Sequence, residues 1–177
     1  MNRTLLSLFA VLLISTPSHQ VPRATQDYGR PVPITPIGPT ISGMRTSFMT
    51  GCGIWDQLRV VVRDRDAWVD VWKRIHTLDP SRGPDRKMPT LPEIDFSREM
   101  VVVAAMGRRP SSAYSIIIDG AYAYERNYRL EVLVRSVENR KGCPAFAVMT
   151  APIDIVRLPK TDRAVIFRET EVVPDCR

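Results

Sequence analysis

The chain has 177 residues, with 25 Lys and Arg against 19 Asp and Glu, and a formal net charge of +6. The basic residues are scattered through the sequence without forming a long run, so the charge block of a nucleic-acid-binding tail is absent. No G-x-S-x-G, P-loop, H-E-x-x-H or dinucleotide-binding motif occurs. Composition and motifs therefore exclude the commonest enzyme signatures.

The N-terminus has the order of residues found in secretory signals. Arg3 precedes an apolar run from Leu5 to Ile14. This run is about half the ~20 residues that a membrane-spanning helix needs, and no second run of that length follows. We therefore expect a signal peptide over residues 1–18, cleaved near Ser18, and an extracytoplasmic protein, periplasmic or secreted, without a membrane span. An uncleaved N-terminal anchor is the alternative.

The segment 19–40 contains prolines at positions 22, 31, 33, 36 and 39 and has no apolar periodicity. Proline fixes φ and removes a backbone donor, so this composition favours an extended, semi-rigid linker. The remaining residues, 41–177, have the length of one domain that can bury a core without the help of disulfides or metals.

Within this domain the apolar patterns predict one amphipathic helix and a set of short strands. Asp64 can cap the helix, and apolar residues at the i, i+3, i+4 and i+7 positions form one face: Trp68, Val71, Trp72 and Ile75. The segment 100–106 (MVVVAAM) is apolar throughout, which predicts a strand covered on both faces. The other predicted strands cover 58–63, 114–118, 129–137, 145–150, 153–158 and 164–169.

Strands and helices do not alternate regularly along the chain, which argues against a parallel α/β fold. We predict an α+β domain with a largely antiparallel sheet of six or seven strands and one main helix. Trp68 and Trp72 project from the same side of that helix, and we predict both as core residues that cover the sheet.

Three cysteines in an exported chain allow one disulfide and leave one thiol. Cys143 follows a Gly142 turn and Cys176 lies beyond the last predicted strand, so a bridge between them would hold an end that otherwise frays. We predict this pairing, with Cys52 reduced; a Cys52 to Cys176 bridge is the main alternative. No C-x-x-C pair or Cys/His cluster occurs, so we predict no metal site and no cofactor.

Catalytic groups are hard to assemble from this sequence. A Ser or Cys nucleophile needs a nearby base, and His76 is the one histidine of the predicted domain. His76 lies at the end of the predicted helix, where we expect an imidazolium to interact with the helix dipole. Asp64, Asp66 and Asp70 share their helix with basic residues and are best interpreted as solvated ion pairs. The sequence therefore indicates a protein that is not an enzyme.

The loop GRRPSSAY, 107–114, is the candidate binding site. It joins two predicted strands, so its ends are held while its side chains remain available to a partner. Guanidinium groups beside hydroxyls can bind carboxylate or sulfate groups, and Arg and Tyr are over-represented in binding hot spots. We predict that this loop contributes five partner-binding residues: Arg108, Arg109, Ser111, Ser112 and Tyr114.

Three segments in this order carry a resemblance to a known family: RVVVRDRDAWVDVW (59–72), IDFSREMVVVAAMGRRPSSAYSIII (94–118) and MTAPIDIVRLPKTDRAVIF (149–167). Together they resemble the C-terminal domain family of PrcB, a protease complex subunit that stabilises a bacterial surface protease. The resemblance implies that residues 41–177 form a PrcB C-terminal-like, non-catalytic domain.

The functional hypothesis is therefore an exported module that associates with and stabilises a protein partner, for which the resemblance suggests a protease. A hydrolase with an unrecognised site is the first alternative, and it would require a deep pocket with converging polar groups. A binder of anionic cell-envelope polymer is the second, and it would require one strongly basic face.

Overall fold

A computed structural model describes residues 29–38, 40–41, 44–45, 53–77, 88–140 and 142–175. The predicted signal peptide, residues 1–18, lies outside these ranges. The described elements are, in chain order, β1 (Arg30–Val32), β2 (Thr35–Pro36), β3 (Thr40–Ile41), β4 (Met44–Arg45), β5 (Leu58–Val62), α1 (Arg65–Ile75), β6 (Glu99–Ala105), β7 (Tyr114–Tyr124), β8 (Arg129–Glu138), β9 (Ile153–Pro159) and β10 (Ala164–Val172).

The strands form two four-stranded sheets. The first has the order β1-β7-β8-β10 and the second has the order β2-β9-β6-β5, while β3 and β4 form a small separate hairpin. Pairing is antiparallel except between β8 and β10, which run parallel. The predicted α+β class and the largely antiparallel pairing are confirmed, but the prediction of one sheet of six or seven strands is wrong.

The apolar faces of the strands explain why two sheets are needed. On β6, Val101 and Val103 belong to a core shared with α1, whereas Met100 and Val102 belong to a core shared with β7 and β8. A strand that is apolar on both faces has to be covered on both faces. Helix α1 covers one face of the second sheet and the first sheet covers the other, so the predicted coverage of both faces of β6 is confirmed.

Helix α1 follows its sequence pattern closely. The Asp64 carboxylate accepts a hydrogen bond of 2.9 Å from the backbone N–H of Ala67, as expected of an N-cap residue. The apolar face is buried, with Trp68 1% and Trp72 5% exposed. The helix ends at Ile75, and His76 is its C-cap residue.

The described part of the segment predicted as a linker joins the sheets instead. Strand β1 pairs with β7 and β2 pairs with β9. Between the sheets, Val32 and Ile34 pack against the core. Pro31 and Pro36 are compatible with this arrangement because both strands are sheet edges, where a missing N–H need not break a ladder.

The strand predicted over 145–150 is also absent. Residues 144–149 are exposed and outside any strand, and Thr150 makes an isolated bridge with Arg109. The backbone N–H of Val148 donates to the carbonyl of Phe146 at 2.9 Å. This tight local turn bends the chain, which is incompatible with a continuous extended strand.

Candidate functional site

The predicted binding loop leaves β6 through Gly107, whose conformation places the next residue. Gly107 has φ of +74°, and a Cβ at this position would lie 2.7 Å from the carbonyl oxygen of Trp55. Any other residue would therefore be strained and would also collide with the backbone. The close approach lets the Arg108 N–H donate to the Trp55 carbonyl at 2.8 Å.

Arg108 and Trp55 form an exposed stacked pair. The Arg108 guanidinium carbon lies 4.0 Å from the centre of the indole ring. Trp55 is 64% exposed, so much of the ring remains available after this contact. Such a cation–π contact at an exposed site is worth about 0.5 to 1 kcal/mol, which favours the stacked arrangement of the two side chains.

The rest of the loop is bound to the segment 146–150. Arg109 and Thr150 exchange backbone hydrogen bonds of 2.8 and 2.9 Å. The Ser112 N–H donates to the Phe146 carbonyl at 3.0 Å, and the Phe146 N–H donates to the Ser112 hydroxyl oxygen at 2.9 Å. The Thr150 hydroxyl donates to the carbonyl of Ser111 at 2.9 Å. These bonds fix the backbone of two neighbouring loops against each other.

The five predicted binding residues consequently separate into groups with different surroundings. Arg108 faces Trp55, while the Arg109 guanidinium lies 5.7 Å from the ring centre of Tyr114. The Tyr114 hydroxyl donates to Glu138 at 2.9 Å, and this bond raises the pKa of Tyr114. The two arginines thus face different rings and do not form a paired anion clamp with the half-buried serines.

The structure adds an apolar surface that the sequence reasoning missed. Phe146 is 81%, Met149 55% and Val148 39% exposed, and this segment is bonded to the same loop that carries Arg108. Sequence reasoning assigned these residues to a strand because they are apolar and closely spaced. We call the set formed by Trp55, Arg108, Phe146, Val148 and Met149 the loop surface.

Two cavities lie among the described residues. A cavity of about 130 Å³ next to Arg109 and Tyr114 is smaller than the ~300 Å³ typical of ligand pockets. A wide, open depression lies beside Arg63 and Lys160. There Arg63 donates to the carbonyl of Thr161, and Lys160 donates to the carbonyl of Phe96 at 2.6 Å. These cations serve internal contacts.

His76 lies outside both cavities. Its ring meets Trp72 edge-on, with ring centres 4.2 Å apart. Burial lowers the pKa of His76 below its usual value, which favours the neutral imidazole. Burial of the ring thus opposes the imidazolium that the end of the helix would otherwise favour.

Other sequence predictions involve groups at the edge of the described ranges. Cys143 is half-buried, and its N–H donates to the Arg140 carbonyl at 3.0 Å. Cys52 and Cys176 lie outside the described residues, so the pairing of Cys143 with Cys176 stays a prediction.

Among the described residues, no group of three or more His, Cys, Asp or Glu side chains is placed to hold a metal ion. None of the described helices is long and apolar enough to cross a membrane.

Neither the curated proteins nor the solved structures gave a match. The family model described as PrcB C-terminal matches residues 100–159, which contain β6 to β9, the predicted binding loop and the segment 144–150. The match over residues 100–159 agrees with the resemblance drawn from the sequence.

Proposed function

We propose that the chain is an exported, non-catalytic module that binds a partner protein through the loop surface, and that this partner is a protease that it stabilises. The family match supports association with a protease complex. Export is supported by the signal-like N-terminus. The loop surface supports the binding role, because four of its five residues lie within the matched segment.

The observation that carries the proposal is the exposure of large apolar side chains on a rigid base. Trp55, Phe146 and Met149 are each more than half exposed. Exposed apolar groups that cluster in this way are typical of protein interaction sites. Aromatic residues, Met and Arg are also the residue types enriched at the centres of interfaces.

The rigidity of the loop backbone also supports a binding role. The backbone of the loop is held by hydrogen bonds to Trp55, Phe146 and Thr150. A surface that is ordered before binding loses less conformational entropy when it meets its partner. The loop surface can therefore bind with useful affinity although its apolar area is small.

The test compares a double variant, Arg108→Ala with Arg109→Ala, with the parent protein. Arg108 is exposed and makes its side-chain contact with an exposed ring, so we expect a change in stability within about 0.5 kcal/mol. Capture of the partner from the native extracytoplasmic fraction by the immobilised full-length protein should fall strongly. Quantitative mass spectrometry of the captured proteins measures this loss.

Arg126→Ala is the matched control, because Arg126 is exposed in the turn at the other end of β7. The control should capture as much partner as the parent. The lifetime of the captured protease should also shorten in cells that carry the double variant. Equal capture by the parent and the double variant would remove the two arginines from the interface, and a large loss of thermal stability would show that they belong to the fold.

A further inference from the structure

The two lateral sides of the sandwich connect the two sheets in different ways. On one side, β1 and β2 are consecutive, and the chain passes directly from the edge of the first sheet to the edge of the second. On the other side lie β10 and β5, which are joined by side chains. Arg59 binds both carboxylate oxygens of Glu169, at 2.6 and 2.9 Å, and Arg63 donates to the carbonyl of Thr161.

Strand β10 is a long edge. All nine of its residues are in register with β8 on one side. On its other side, none of the described residues forms a backbone hydrogen bond with it. In a ladder of this kind, alternate N–H and C=O groups point away from the paired neighbour, so β10 presents a row of backbone donors and acceptors to the outside.

The devices that usually protect a sheet edge are weak here. Between Ala164 and Val172 there is no proline and no lysine, and the pairing with β8 continues without a bulge. Two of the charged side chains are held within the chain. Arg168 donates to Glu131 at 3.3 Å, and Glu169 is bound by Arg59. The charges of β10 therefore do little to repel an incoming strand that places no cation opposite Arg168.

We propose that the free edge of β10 accepts an extended segment of the partner protein as an additional strand. This inference rests on the proposed function for the existence of a partner, and it assigns a second contact, made by the backbone of β10 and not by the side chains of the loop surface. A row of alternating N–H and C=O groups is complementary to an extended polypeptide, which satisfies both kinds of group at once.

Side chains of β10 define the chemistry of that segment. Ile166 is 45% exposed and offers an apolar contact. Glu171 is exposed and has no ion pair with any described residue, so it favours a basic side chain opposite it. The segment should therefore be extended, with apolar residues at alternate positions and Lys or Arg near the C-terminal end of β10.

A second copy of the chain fits this edge less well. Antiparallel pairing of two β10 strands over all nine residues would be centred on Arg168. The register would place two arginines directly opposite each other, and like charges in that position are destabilising. A different polypeptide avoids this repulsion.

The test is amide hydrogen exchange of the full-length protein, read by nuclear magnetic resonance with and without a synthetic peptide. The probe peptide has about ten residues, alternates Val and Thr, and carries one Lys. Alternate amides of β10 should exchange quickly in the free protein. At a peptide concentration of about ten times its Kd, they should exchange about tenfold more slowly, while the amides that pair with β8 should not change.

A peptide of the same sequence, N-methylated at alternate positions, is the control, because it cannot complete the ladder and should give no protection. Slow exchange of every β10 amide in the free monomer would overturn the proposal by showing that another part of the chain covers the edge. Protection that depends on protein concentration would overturn it in favour of a second copy. No protection by the probe would also overturn it.

Variants separate edge binding from stability. In β10, neighbouring residues direct their N–H groups to opposite sides of the strand. Of the two variants Thr170→Pro and Glu171→Pro, one therefore removes a hydrogen bond to β8. The other removes an N–H group from the outer edge and blocks that edge with the proline ring. The variant that melts close to the parent should lose peptide binding. If that variant still binds the peptide, the proposal is wrong. No natural partner is needed, so this result is independent of the capture experiment that tests the loop surface.

Discussion

Two pairs of aromatic residues in this domain have opposite environments. Trp68 and Trp72 on α1 are almost fully buried, whereas Trp55 and Phe146 are among the most exposed large side chains of the described residues. Residue type alone does not separate these pairs. The difference comes from whether each aromatic residue repeats in register with other apolar residues, as the two on α1 do.

The indole N–H groups of the two buried tryptophans both have hydrogen-bond partners. The indole N–H of Trp68 donates to the carbonyl of Pro92 at 3.1 Å, and that of Trp72 donates to the carbonyl of Pro89 at 3.1 Å. A buried indole needs such a partner. The segment 88–95, which contains Pro89 and Pro92, therefore closes over the helix, while the ring of Trp55 is covered on one face by an arginine.

The difference between the buried and the exposed rings is tested most directly by comparing the stability of Trp68→Ala with that of Trp55→Ala. Removal of the buried ring should lower the free energy of unfolding by about 3 to 5 kcal/mol, a large part of the ~5 to 15 kcal/mol typical of a domain. Trp72→Ala should behave similarly. Trp55→Ala should change stability by about 0.5 kcal/mol or less and should weaken partner capture. Chemical denaturation measures these differences.

Equal melting of the Trp68 and Trp55 variants would contradict the division into core and surface. Trp68→Phe adds a finer control, because it keeps most of the apolar contact and removes the hydrogen bond to Pro92. Its cost should be nearer ~1 kcal/mol than the full loss.

The second prediction concerns the base of the exposed segment that carries Phe146. Arg140 forms an ion pair of 2.7 Å with Asp175, which holds the C-terminal end of the described chain at a residue three positions before Cys143. This contact supports the pairing of Cys143 with Cys176. The closed loop has 32 intervening residues, for which loop entropy gives about 3 to 4 kcal/mol.

Cys143→Ser should therefore lower stability by an amount of that order under oxidising conditions, and Cys52→Ser should leave it unchanged. Peptide mapping without reduction identifies the bridge directly. A fragment that joins Cys52 to either of the other cysteines would refute the pairing.

The sequence predicts those parts of the fold in which apolar residues recur at a regular spacing. The helix, its Asp64 cap and the doubly covered strand β6 follow from residue spacing. The division into two sheets does not, because pairing partners far apart in sequence leave no local signal. The strand β1 was missed because its proline was interpreted as the mark of a linker, although prolines are compatible with edge strands.

The candidate site was predicted only in part for a related reason. The loop 107–114 is recognisable because it joins two strong strands. The exposure of Phe146 and Met149 depends on a local turn at Val148 and on hydrogen bonds to Ser112. Neither the turn nor these hydrogen bonds produce a sequence pattern that distinguishes an exposed apolar segment from a short buried strand.

A smaller effect is expected at the start of the helix that carries the buried pair. Asp64→Ala removes the oxygen that accepts from the Ala67 N–H, and it should cost about 1 kcal/mol without changing either tryptophan contact. Asp64→Ser should recover most of the loss, because serine also caps helices. Asp66→Ala, at an exposed position in the first turn of the helix, is the charge control. If Asp66→Ala costs as much as Asp64→Ala, charge near the helix end matters more than the hydrogen bond.

The smallest expected effect is a dependence of stability on pH through His76, whose ring contacts the buried Trp72. Burial lowers the pKa of His76 in the folded state below the value of 6.5 that applies in the unfolded chain. As pH falls through this value, the unfolded state binds protons that the folded state does not. The free energy of unfolding should therefore be highest above about pH 6.5 and should decrease towards pH ~5.

His76→Gln removes this titration. As pH falls, the free energy of unfolding should therefore decrease more steeply for the parent than for the variant. Hydrogen bonds lower the pKa values of Asp95 and Asp162, and the stability that these carboxylates contribute is lost at lower pH, outside this window. The comparison of the two profiles then reports on the surroundings of the buried pair without disturbing either tryptophan. Parallel profiles would show that the imidazole is equally hydrated in both states, and that the burial around Trp72 does not extend to the end of the helix.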